Sequence, residues 1–149
     1  MAARRIHIKG PYRQEEANAA AASSVYPGML VLRDSNGDVN VHNTEGGYAE
    51  RAVAAEDALQ GDVVSTVYTA ENILTFLLLV PGSEFYGLLA SGENVSDGDK
   101  VVSGGDGTFV AESNVSSGTT VRQIMAIVLE DKDLSGSGAS DTLTKMRMM

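Results

Sequence analysis

The residues of this 149-residue chain best suited to chemistry are acidic side chains set in glycine-rich turns. Asp34, Asn36 and Asp38, with Glu45 further on, fall at positions 1, 3, 5 and 12 of a calcium-loop pattern. Gly37 stands at position 4 of that pattern instead of 6, and the flanking runs read as strands rather than helices. Asn-Gly between two alternating runs is a strong hairpin signal, so the stretch reads as a turn. Asp97, Asp99 and Asp106 sit in two further turns. There glycine supplies positive φ and aspartate bonds its own backbone, which accounts for these residues without a cation.

Other chemistry finds little support. Gly104-Gly105-Asp106-Gly107 lacks the Lys-Ser/Thr of a phosphate loop and leads into a strand-like run, Thr108-Phe109-Val110. A Ser-His-Asp triad would need His7 or His42. The first sits in the terminal segment, the second is expected to be exposed on a hairpin strand, and no Gly-x-Ser-x-Gly elbow is present. Twenty acids always offer carboxylate pairs, but nothing singles one out. Cysteine is absent, which removes disulfides and thiolate metal sites. A carrier domain of the biotinyl or lipoyl kind would place its lysine in a tight turn, whereas Lys145 lies in a terminal strand. The expectation is a non-enzymatic protein with no cofactor and no metal.

Charge narrows the partners. The net charge of −9 argues against a nucleic-acid surface, which needs clustered Lys and Arg. Arg4, Arg5, Lys9 and Arg13 are nevertheless concentrated in the first thirteen residues, which hold no acid. A basic segment on an acidic body suggests docking on something acidic. No secretion signal is visible in MAARRIHIKG. The most apolar run, Ile73–Val80, is too short to span a bilayer, so no membrane partner is expected.

The elements that must carry these residues are short. Val63–Tyr68, Ile73–Val80, Phe85–Ala90, Lys100–Ser103 and Thr108–Ala111 are apolar runs cut off by glycine turns, the pattern of strands in a sandwich or barrel. Met29–Arg33 and Val39–Asn43 flank the Asn-Gly hairpin, Tyr48–Ala55 reads as a strand, and Val121–Glu130 is rich in β-branched residues. Leu134–Asp141 is a Gly/Ser connection. Thr142–Met149 alternates, with Leu143, Lys145 and Arg147 on one side and Thr144, Met146 and Met148 on the other. Met1–Arg13 reads as extended, able to add as a strand to a neighbouring sheet. The alanine-rich Gln14–Ser24 reads as a short helix or a linker. Residues 1–24 are thus an N-terminal arm and 25–149 the β domain.

The run Ile73–Val80 is apolar on both faces, where a half-exposed strand would alternate. Either both faces are buried within one chain or another subunit covers one. The second option is favoured, with Phe76 and Leu78 as the subunit contact. A helix capped by Thr69 is the alternative.

The order of features from Pro27 onward resembles the small head decoration, or cement, proteins of tailed bacteriophages. It runs through Tyr26-Pro27-Gly28-Met29-Leu30-Val31, the Asp-Asn-Gly hairpin, Ala54-Ala55-Glu56 before Gly61-Asp62, and Val80-Pro81-Gly82-Ser83-Glu84. It continues through Leu89-Ala90-Ser91-Gly92, Val95 to Asp99 and Gly104-Gly105-Asp106-Gly107, then Ala126 to Asp131 and the strand Lys145 to Met148. The resemblance implies an all-β fold, a small open antiparallel or tulip-like barrel. It also implies trimers on the outer surface of the virion, seated at threefold and quasi-threefold sites of the shell, with N-terminal arms reaching across capsomer boundaries. The partner would be the major capsid protein, and the basic arm is suitably placed to meet it through Arg4, Arg5, Ile6, Ile8, Pro11, Tyr12 and Arg13. Removing residues 1–13 is then expected to weaken shell binding and leave the fold intact. The rival readings are a trimeric carbohydrate-binding or fibre-associated adhesion module, for which exposed aromatics are few, and a small hydrolase or calcium-dependent enzyme built on the acidic turns.

Overall fold

The computed structural model describes residues 3–20, 24–115 and 122–149. Its strands are β1 (His7–Lys9), β2 (Tyr12–Asn18), β3 (Val31–Arg33), β4 (Val39–Val41), β5 (Ala52–Ala54), β6 (Ile73–Leu79) and β7 (Glu84–Leu89). They continue as β8 (Asn94–Val95), β9 (Lys100–Ser103), β10 (Phe109–Ala111), β11 (Ala126–Val128), β12 (Lys132–Asp133) and β13 (Thr142–Met148). One 3-10 turn, Glu112–Asn114, is the helical element among the described residues. The protein is all-β.

Five strands close into a barrel in the order β7-β10-β9-β11-β13, with β13 returning to pair with β7. The ladders are antiparallel except where Phe109 of β10 meets Leu89 of β7 in a parallel contact. Inside lie Phe85, Phe109, Val101, Ala126, Val128, Met146 and Met148. The expected alternation of the last strand holds: Thr144, Met146 and Met148 are buried, while Leu143, Lys145 and Arg147 face outward.

A second sheet, β2-β6-β5, packs on the barrel. Its central strand is the apolar run, and it solves the two-faced burial inside one chain. Leu77 and Leu79 enter the barrel core, while Leu74 and Phe76 enter a second core with Met29, Val31, Val39 and Tyr68. The β3–β4 hairpin contributes Val31 and Val39 to that second core. The run is therefore a strand, not a helix, and its composition requires no second subunit to cover it. Phe76 is only 2% exposed, so it presents no surface to a neighbouring copy, and Leu78 is half-buried.

The N-terminal segment is extended and adds as strands, as its alternation predicts, but to sheets of its own chain. Strand β1 adds to the edge of β7, and Ile6 is wholly buried in the barrel core. The main-chain N–H of Ile6 donates to Glu56 Oε2 at 2.9 Å. Gly10 then turns the chain at φ 96° and β2 pairs along all seven of its residues with β6. Gln14–Asn18 is thus strand rather than helix, because β6 offers it a complete ladder that outweighs alanine's helical preference. Ala19 and Ala20 continue as buried backbone, and residues 21–23 lie outside the described residues. Deleting residues 1–13 would therefore remove a strand and a core side chain, so it would not leave the fold intact.

Smaller differences share one cause, pairing between distant residues. Val63–Tyr68 forms turns with one bridge, Val25 to Tyr68. Of Val121–Glu130, only Ala126–Val128 is strand; Val121 lies outside the described residues. Lys132–Asp133, at the head of the Gly/Ser connection, pairs with Asn94–Val95.

Candidate docking surface

The acidic turns are closed upon themselves. Asp34 Oδ1 accepts the N–H groups of Asn36 and Asp38 at 2.8 and 3.1 Å. Asp99 Oδ2 accepts from Ser96 N–H at 2.8 Å, and Asp131 Oδ1 from Asp97 N–H at 2.9 Å. Asp106 Oδ1 accepts both the N–H and the hydroxyl of Thr108. Each oxygen does the work of a turn, and among the described residues no three His, Asp or Glu side chains gather as metal ligands.

His42 is buried, not exposed as its hairpin position predicts. Its Nε2 lies 2.8 Å from the Tyr48 carbonyl, which can only accept, so Nε2–H donates. Nδ1 is then the acceptor for the Ser103 hydroxyl at 2.6 Å. This Ser-His pair has the geometry of a nucleophile and its base. Ser103 is fully buried, however, and the outer partner of the ring is a carbonyl rather than a carboxylate, so the pair ties Tyr48 to β9 and has no route to a substrate.

The exposed chemistry gathers at one corner, where four segments meet. The turn after β6 places Gly82 N–H on the Met148 carbonyl at 2.8 Å, and Met148 N–H on the Ser83 carbonyl at 2.9 Å. Ser83 Oγ donates to the Pro11 carbonyl at 2.6 Å, fixing the β1–β2 turn beside it. Gly10 is required there, since a Cβ would lie 2.8 Å from the Ser83 backbone. Arg51 Nε donates to the Met149 main-chain oxygen at 2.6 Å. Between these segments runs a shallow groove lined by Pro11, Tyr12, Arg13, Glu50, Arg51, Leu78, Leu79, Val80 and Pro81. Tyr12, Val80 and Met149 are each more than 40% exposed, an apolar cluster rimmed by arginine.

A carboxylate beside this corner carries more positive charge than it can balance. Glu84 is nearly buried and lies 3.3 Å from Lys9 Nζ, 3.2 Å from Arg147 and 3.7 Å from Lys145 Nζ. Burial alone would raise its pKa, but hydrogen bonds from Arg147 and Lys9 and the charges of both lysines prevail and hold it below the ordinary range. Its folded value is depressed, so its contribution to stability is present at neutral pH and is lost as pH falls through that value. Glu84→Gln is expected to melt below the wild type at pH 7, with the gap in Tm closing as the pH falls through the depressed folded value. A gap independent of pH would show that the ion cluster contributes nothing.

The structure brings Pro11, Tyr12, Arg13 and Leu78 together on the groove. Arg4 and Arg5 are exposed, and Arg5 lines an adjoining cleft with His7 and Tyr12, whose rings lie 4.3 Å apart. Ile8 is half-buried on β1, and Ile6 and Phe76 are core. Nothing local marks Arg51, Val80, Lys145 or Arg147 as members of the corner, because long-range hydrogen bonds and strand register bring them there.

The fold belongs to the class of small closed β-barrels, here with a second sheet and a hairpin layered on one side. No family model matches the chain, and no curated protein matches it in sequence. Among solved structures it is similar to the head fiber gp8.5 N base of bacteriophage phi29, with a TM-score of 0.53 over 92% of this chain and 95% of that one. Sequence identity is 13%, so the likeness is one of fold.

Proposed function

We propose that this protein is a structural component of a phage head. In the finer form, it is a decoration (cement) protein that binds the major capsid protein as a trimer at threefold and quasi-threefold sites and stabilises the expanded shell from outside. The observation that carries the reading is the fold likeness to a phage head fiber base, which spans nearly the whole of both chains. The order of sequence features, which resembles that of cement proteins, agrees with it. So does the state of the candidate chemistry, since Asp34, Asp99, Asp106 and His42 are engaged within the fold. We read the protein as non-enzymatic.

The physical requirements of such a clamp are modest. It needs a rigid body and a contact on the order of 1,000 Å². Three linked contacts gain affinity through effective concentration. Binding the expanded shell and not its precursor stabilises the expanded state by mass action. The Tyr12–Val80 corner suits an acidic, partly apolar patch on the capsid protein. Its apolar cluster supplies burial, while Lys9, Arg13, Arg51 and Arg147 supply charge that an otherwise acidic body lacks.

Co-sedimentation with expanded, undecorated shells tests the corner. Tyr12→Ala combined with Arg13→Glu is expected to weaken shell binding by about tenfold or more, with the circular dichroism spectrum unchanged. Both side chains are exposed, so the pair leaves the cores intact. Unchanged binding would move the contact elsewhere. A second reading, a fibre-associated adhesion module, is favoured by the same neighbour being a fiber base, and retention on host cell envelopes without shell binding would select it.

A further inference from the structure

A partly open cleft of about 530 Å³ lies away from the docking corner, with no lining residue in common. Its floor is apolar, with Leu143 and Leu88, and two tyrosines, Tyr26 and Tyr86, line it. Tyr26 is 42% exposed, so part of its ring is open to a ligand in the cleft. Three charged side chains converge on the same space: Glu130, Lys132 and Asp141.

These polar groups are held in place yet incompletely used. Glu130 Oε1 accepts the N–H of Lys145 at 2.8 Å, and Asp141 Oδ1 accepts the N–H of Ser91 at 2.8 Å. Each carboxylate is thus anchored through one oxygen, and no protein donor occupies the other among the described residues. Lys132 lies on β12 and forms no ion pair among the described residues. Leu143 keeps its place in the floor because Gly28 has no side chain, its Cδ2 lying 2.4 Å from where a Cβ would stand.

From this arrangement we infer a binding site for a neutral sugar ring, of one or two pyranose units. A pyranose has an apolar C–H face, which an exposed tyrosine can cover, and a rim of hydroxyls that donate to carboxylates and accept from an ammonium. A cavity of this size with an apolar lining and a few convergent polar groups is typical of a small-ligand site. Two carboxylates against one lysine, in a chain of net charge −9, disfavour phosphorylated or sialylated ligands. The site is separate from the shell-binding corner and stands whether or not the protein sits on a shell.

Saturation-transfer NMR and titration calorimetry on the full chain test the site, using glucose, galactose, N-acetylglucosamine and their β-linked disaccharides, with sialyllactose as the anionic comparison. At least one neutral sugar is expected to bind, about tenfold or more tighter than sialyllactose. Tyr26→Ala and Lys132→Ala are each expected to weaken it by about tenfold. Tyr26→Ala should leave shell co-sedimentation unchanged, which separates this inference from the shell-binding proposal. Absence of neutral-sugar binding at millimolar concentration, binding indifferent to both substitutions, or a preference for sialyllactose would overturn it.

Discussion

Phe109→Ala is expected to lower stability by about 3–5 kcal/mol, the usual cost of removing a fully buried aromatic side chain. Phe109 has no exposed surface, and its ring packs 5.8 Å from that of Phe85 in the barrel centre. Its place in the topology adds to the effect. Phe109 is the residue through which β10 meets β7, and its carbonyl accepts from Ala90 N–H at 3.0 Å, so the cavity would open at the closure of the ring. Gly87 faces it, with a hypothetical Cβ only 2.9 Å from the Phe109 ring, so the wall here was shaped around the phenyl group. Domains of this size typically have 5–15 kcal/mol in total, so the variant would be marginal at 37 °C. Urea unfolding followed by circular dichroism measures the change, since the chain has no tryptophan. A loss below about 1 kcal/mol would mean that the barrel is not packed around this ring.

Gly28→Ala is expected to cost about 2–4 kcal/mol, from positive φ and from overpacking together. Gly28 sits at φ 93°, and an added Cβ would stand 2.4 Å from Leu143 Cδ2 and 3.2 Å from backbone atoms of Leu88 and Tyr86. The residue cannot retreat, because its N–H donates to the Ala54 carbonyl at 2.8 Å and its carbonyl accepts from Leu88 N–H at 2.9 Å. Those two bonds join the second sheet to the barrel. Gly37→Ala is the control: it has nearly the same φ, 86°, but no atom within 4 Å of the new methyl, so only the backbone cost of about 1–2 kcal/mol remains. Equal losses in the two variants would show that Gly28 is selected for its dihedral alone and that the junction has slack.

Local signals carried much of the fold. Asn36-Gly37 marked the β3–β4 hairpin, the run Lys100–Ser103 is β9 without adjustment, and the alternation from Thr142 to Met148 separated the barrel's inner face from its outer one, where Leu143 is half-buried. Each of these depends on neighbours in sequence. What escaped depends on partners far along the chain. Gln14–Asn18 reads as helix by composition, and nothing local reveals that β6, sixty residues away, holds it as strand. Ile73–Leu79 announces two buried faces, yet the sequence does not say whether the second cover comes from another subunit or, as found, from the β3–β4 hairpin. His42 looks like an outward residue of a hairpin until β9 supplies Ser103. The exposed corner was half legible as a surface, through Pro11, Tyr12 and Arg13; the cleft lined by Tyr26 and Asp141 was not legible at all, since its walls come from segments more than a hundred residues apart.

The most direct test of the head-protein reading is a count of bound copies. Expanded shells assembled from the capsid protein encoded with this chain, free of any decoration, would be saturated with the purified protein, sedimented, and the ratio of the two chains determined. The reading predicts saturation at three copies per threefold and quasi-threefold position, with little binding to unexpanded precursors. A folded protein that stays in the supernatant with both shell forms would contradict it.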